Sequence, residues 1–208
     1  MKFHTVSPDD ITISEFHNKK MTVSYQNKPL RVQLPKMYMQ FGVGAWGQPA
    51  RFWIDFNIHE DGGTKKFNDW VKAIEHKVIS KISSDSKSIF GNNKTYDMIL
   101  DRFNSSIKVK PPYPSKFRAK VETQWGEEDT PKADFWDPKG LPMNHLVMKE
   151  GLFSAMSATP IVELSSIYFM KNRGEEMIGI TWKLVQMKLI EPEIKSVVSD
   201  YQFIEEEE

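Results

Sequence analysis

Lys116, Arg118 and Lys120 occupy every second position of one run, and with Lys108 and Lys110 they place five bases and no acid between Phe103 and Lys120. Alternate side chains of an extended chain share a face, so the three would stand in a row on a strand whose other face is Phe117, Ala119 and Val121. A row of that kind can neutralise successive phosphates along a nucleic-acid backbone. The alternative is a solvated strand face, which normally mixes signs. Trp53 adds a second chemistry. In Arg51–His59 the residues Phe52, Ile54, Phe56 and Ile58 fill one face and leave Trp53 beside Arg51 on the polar one. An outward Trp next to an Arg suits base stacking, at ~1–3 kcal/mol per base, unless a loop or residues 124–142 cover it. Tyr113 is a further stacking candidate. Trp46, Trp125, Phe135 and Trp136 lie in Gly/Pro-rich segments and could either stack bases or pin their loops. Arg51 and Lys36 would flank the basic track, and Trp70 and Trp182 are expected in the core.

Catalytic patterns are weaker. Gly42, Gly44 and Gly47 have neither the spacing nor the strand-to-helix context of a phosphate-binding loop. His4, His17, His59, His76 and His145 share no ligand spacing, and the turn His59-Glu60-Asp61 is more often solvated than metal-bound. No Ser sits in a nucleophile elbow, and the chain has no cysteine, which removes thiol nucleophiles, thiolate zinc sites and disulfides. A non-enzymatic protein without cofactor or metal is expected.

The 28 Lys and Arg balance 28 Asp and Glu, but unevenly. From Ile190 onward there are seven acids and Lys195, leaving 27 bases against 21 acids, a net of +6, in residues 1–189. Residues 191–208, ending in four Glu, read as an acidic, flexible tail that either competes for a basic groove or merely solubilises. The opening MKFHTVSPDD has no apolar h-region, and no run reaches the ~20 apolar residues of a membrane span, so an intracellular, non-secreted protein is expected.

The elements that must hold these residues are mostly strands. Residues 1–18 read as an irregular lead-in with a short strand at Ile11–Ser14. Met21–Tyr25 and Leu30–Leu34 alternate around a polar turn, as in a hairpin. Phe41–Gly47 is too glycine-broken for a regular element. Phe67, Trp70, Val71, Ile74, Val78 and Ile82 form the apolar face of one long helix at about 65–83, with Thr64 able to cap it. Asn104–Val109, Lys116–Thr123, Met143–Met148, Gly151–Leu164, Ser165–Lys171 and Ile178–Ile190 read as strands, and 124–142 as a long loop excursion. Many strands around one mid-chain helix exclude a doubly wound parallel sheet, which needs a crossover helix after nearly every strand. They favour a mainly β (α+β) oligonucleotide/oligosaccharide-binding (OB) type barrel over 1–190, with its helix expected after the third strand.

Lys28-Pro29 with the following strand, Pro35-Lys36-Met37 before Phe41-Gly42-Val43, Arg51–His59 with its helix, and the closing Gly179–Lys188 together resemble the single-stranded DNA-binding proteins of nucleocytoplasmic large DNA viruses, themselves similar to T7-type phage proteins. The resemblance runs from about Met21 to Ile190. It implies an OB-type barrel that coats single strands during viral DNA replication or repair, with an acidic tail that engages replication proteins or regulates access. Single-stranded DNA, with RNA as a possibility, is thus the expected partner, in a host nucleus or a cytoplasmic replication site. A barrel serving as a protein-interaction or virion scaffold is the alternative.

Overall fold

The computed structural model describes residues 1–60, 62–172 and 175–191; the acidic tail beyond Glu191 lies outside them. The strands are β1 (Ile11–Ile13), β2 (Lys20–Met21), β3 (Val23–Tyr25), β4 (Lys28–Gln33), β5 (Met37–Met39), β6 (Val43–Trp46) and β7 (Arg51–Ile58). Three helices follow, α1 (Gly62–Ser84), α2 (Ser86–Phe90) and α3 (Tyr96–Leu100). Then come β8 (Phe103–Asn104), β9 (Ile107–Lys110), β10 (Tyr113–Val121), β11 (Asp134–Trp136), β12 (Met156–Asn172) and β13 (Glu175–Ile190). The expected hairpin forms, with Gln26 and Asn27 at positive φ in its turn.

Five strand positions close the barrel. The chain through β5 and β6 pairs β12 with its first half, at Met37–Met39, and β7 with its second, at Val43–Trp46. The strand β7 pairs antiparallel with β10, β10 runs parallel to β13 at Lys120↔Lys183, and β13 returns antiparallel along β12. A bent first strand, a meander of three, and a parallel contact between the third and fifth are the connectivity of an OB barrel. The bend falls at Gly42, whose φ is +64° and where a Cβ would stand 2.1 Å from the Leu152 carbonyl oxygen. Phe41–Gly47, expected to be irregular, is therefore mostly a barrel strand.

Inward alternation builds the core. Phe52, Ile54 and Phe56 of β7, Phe117, Ala119 and Val121 of β10, and Trp182 and Leu184 of β13 are all buried. The apolar face of α1 packs on them, with Phe67 5.0 Å from Phe117 and Trp70 6.0 Å from Trp182, ring centre to ring centre. The helix follows the second barrel strand, β7, and not the third. The hairpin that would have supplied two barrel strands instead flanks the barrel, β4 continuing the edge of β12 beyond β5. The lead-in is tied down against α1: Phe3 packs on Phe67 and Trp70, and the Trp70 indole N–H donates to the Val6 carbonyl at 2.7 Å. The helix begins at Gly62, so Thr64 lies within its first turn and does not cap it from outside; its hydroxyl accepts from the His59 N–H at 3.1 Å.

Two further expectations are corrected. Met143–Met148 is not a strand; its Met148 is buried by a loop contact, its N–H donating to the Asp129 carbonyl. The excursion 124–142 returns to the sheet, because β11 runs parallel to β13 at Asp134↔Gln186, three residues beyond the last β10 contact. Within it Phe135 is buried and stacked on Phe153 at 5.4 Å, so it is a core residue.

Candidate nucleic-acid interface

The outer face of β6, β7, β10 and β9 gathers most of the basic and aromatic candidates. Register sets the rows: Trp46 lies opposite Arg51, Gly44 opposite Trp53, Trp53 opposite Lys120, Asp55 opposite Arg118, and Asn57 opposite Lys116, which faces Lys108. Lys120 is also the residue aligned with Lys183 of β13. From Tyr113 to Lys120 the track runs about 23 Å at a rise of ~3.3 Å per residue.

Trp53 sits on this outer face, but its ring is not open. It lies against Gly44, where an added Cβ would be 2.4 Å from the indole. The Arg118 guanidinium carbon stands over the ring, 4.5 Å from its centre. Arg118 is fixed in turn by Asp55, to which its Nε–H and Nη2–H donate at 2.7 and 2.8 Å. The Lys116 ammonium lies 4.2 Å from the centre of the Phe41 ring, which is 60% exposed.

Acids temper the basic row. Asp55 pairs with Arg118, and Glu122 takes Lys120 at 3.2 Å and Lys183 at 3.0 Å. Partial burial would raise the Glu122 pKa, but hydrogen bonds from Lys183 and Lys120 and their charges outweigh it and hold the carboxyl below its ordinary value. Lys108 moves down from the ordinary lysine value, first because it is half-buried and then because of the Arg118 charge, against the pull of Glu75 and Asp55. Its ammonium donates to Asn104 Oδ1 and, at 2.7 Å, to the Ser105 carbonyl. Among the described residues no carboxylate pairs with Arg51, Lys110 or Lys116, which leaves these three as the cations readiest to meet a phosphate.

The other candidates scatter. Lys110 and Tyr113 face each other at the far end of the β9–β10 hairpin, both exposed, and Tyr113 lines a 740 Å³ cleft with His59, Lys65 and Lys72. Trp125 is 98% exposed in the loop beyond the opposite end of β10. Trp136 is half-buried on β11, opposite Lys188. Lys36 lies in a separate depression with Lys2, His4 and Lys66 and is not part of this face.

The sequence gives no sign that Phe41, Lys183 and Glu122 belong to the face. Asp55 shares the alternation of Arg51 and Trp53, so its side was legible while its partner was not. No local signal marks Phe41, which joins the face through its contact with the Lys116 ammonium.

No family model and no curated protein matches the chain. Among solved structures the chain is similar to gp2.5, a single-stranded DNA-binding protein encoded by bacteriophage T7, at 14% identity and a TM-score of 0.49, covering 86% of this chain and 98% of that one. It is also similar to the single-stranded DNA-binding protein from bacteriophage Enc34, at 12% identity and a TM-score of 0.41 over 90% of this chain and 95% of that one. The Enc34 protein in complex with single-stranded DNA is similar at 10% identity and a TM-score of 0.40, over 88% and 97%.

Proposed function

We propose that this chain is a non-enzymatic single-stranded DNA-binding protein that coats DNA with little sequence preference during viral DNA replication or repair. The observation that carries the reading is the single outer barrel face on which Arg51, Lys116, Arg118, Lys120 and Lys183 alternate with Trp46, Trp53 and Phe41. Cations spaced along a strand suit phosphates, and the exposed rings of Trp46 and Phe41 suit bases whose faces are free. A duplex hides those faces in its stack, so the aromatic contacts favour a single strand. Neither phosphates nor ring faces encode sequence.

Residues 1–190 act as one binding domain in this reading, and the acidic residues 191–208 compete for the face or recruit replication proteins. The opposed charges of body and tail, +6 and −6, support that role. The resemblance of the Lys28–Val43 and Gly179–Lys188 patterns to proteins of nucleocytoplasmic large DNA viruses supports a replication system of that kind, inside the host nucleus or at a cytoplasmic site.

Fluorescence anisotropy of labelled single-stranded DNA, single-stranded RNA and duplex, at two salt concentrations, tests this with the full chain and a chain ending at Ile190. Single-stranded DNA should bind in preference to duplex, weaken steeply with salt, and bind more tightly without the tail. RNA binding of equal strength would widen the ligand to single strands generally. No binding by either chain would overturn the reading in favour of a protein-interaction scaffold.

A further inference from the structure

The Trp53–Arg118–Asp55 arrangement assigns the stacking contact more closely, on the premise that the face binds single-stranded DNA. We propose that a base stacks on the guanidinium of Arg118, with Trp53 as the floor beneath it and Asp55 as the residue that positions it.

The indole of Trp53 is packed against Gly44, where even one added carbon would fall 2.4 Å from it. Arg118 stands over the ring, 4.5 Å from its centre, with its side chain 44% exposed. A base taking the ring face that Arg118 covers must expel a cation from it and separate that cation from a bidentate carboxylate. The exposed guanidinium needs no such displacement, and a guanidinium plane is itself a surface on which bases stack.

The donor count adds a phosphate contact. A guanidinium has five N–H groups in a fixed fork. Asp55 takes the Nε–H and one on Nη2, and among the described residues Nη1 has no acceptor. The Nη1–Nη2 edge thus remains for a two-point bond to a phosphate. Asp55, 18% exposed, is then more than a competitor for the phosphate, because it fixes the plane and leaves that edge without a partner among the described residues. A lysine at the same place would keep the charge but lose both the plane and the fork.

Four variants test the proposal by anisotropy against labelled single-stranded DNA, with thermal unfolding as a check on folding: Arg118→Lys, Arg118→Ala, Asp55→Asn and Trp53→Phe. Arg118→Lys should weaken binding about tenfold, as expected for one lost stacking contact, with nearly unchanged salt dependence because the charge stays. Asp55→Asn should also weaken binding at raised salt, where the electrostatic gain from deleting a carboxylate is screened. The part of the fluorescence lost in Trp53→Phe should be barely quenched when wild type binds DNA. Wild-type affinity in Arg118→Lys, or tighter binding by Asp55→Asn at raised salt, would overturn the proposal. So would undiminished binding by Arg118→Ala together with new quenching of Trp53, because the base would then use the indole. Failure of wild type to bind at all would instead remove the premise.

Discussion

At the scale of single residues, the face depends on one absent side chain as much as on those present. Gly44 is not at a positive φ, so alanine there would be conformationally ordinary, and the three atoms nearest its added Cβ all belong to the Trp53 indole. Gly44→Ala should therefore lower stability by about 1–3 kcal/mol, the usual range for overpacking, and weaken single-strand binding by displacing the indole from under Arg118. In a Trp53→Ala background the same substitution should be nearly neutral. The double-mutant cycle, read by urea unfolding, isolates that contact; equal losses in both backgrounds would place the effect of Gly44 elsewhere.

Elements position the face by being anchored on their inner sides. The strand β10 can offer Lys116, Arg118 and Lys120 outward because Phe117, Ala119 and Val121 are buried. The β8–β9 link beside it is clamped to α1 by the buried Glu75, whose carboxylate accepts from the Ser106 N–H at 2.6 Å and the Ser105 hydroxyl at 2.9 Å. The Ser106 hydroxyl accepts from the Trp182 indole at 3.0 Å, so helix, link and closing strand form one hydrogen-bonded chain. Glu75→Ala would leave the Ser106 N–H buried without an acceptor. It should destabilise by about 2–3 kcal/mol in urea unfolding, with Glu75→Gln milder because an acceptor oxygen remains.

Across the whole molecule, remote segments are joined by charge as well as core. The Lys94 ammonium donates to Glu176 at 2.6 Å, linking the α2–α3 connection to the long β12–β13 hairpin. That hydrogen bond is the first cause holding the Glu176 carboxyl below its ordinary 4.5, burial opposing it. A carboxylate depressed on folding stabilises above its unfolded pKa, and that stability is lost as pH falls through the folded one. Glu176→Gln should lower stability by about 1–2 kcal/mol at pH 7. The gap between variant and wild type should stay constant down to about the ordinary carboxylate value and close below it. Urea midpoints at a series of pH values check the sign, since a gap that widens in acid would contradict it.

The sequence by itself determined what alternation and periodicity can encode: the two faces of β7 and β10, the buried stripe of α1, the core places of Trp70 and Trp182, and the uneven charge. These are local properties, because period 2 or 3.6 fixes a side chain's direction wherever its element lies. It also favoured an OB-type barrel, but with the wrong strands counted into the ring and the helix one strand too late. Glycines in Phe41–Gly47 lowered the apparent strand signal although Gly42 makes the bend and Gly44 accommodates the Trp53 ring. Met143–Met148, expected as a strand, is a loop whose Met148 is buried. Only the tertiary structure decided that Asp55 fixes Arg118 from 63 residues away, that Glu122 holds Lys120 and Lys183, and that Lys36 lies apart. Partners across a sheet are chosen by register between distant strands, and no periodicity within one strand carries that information.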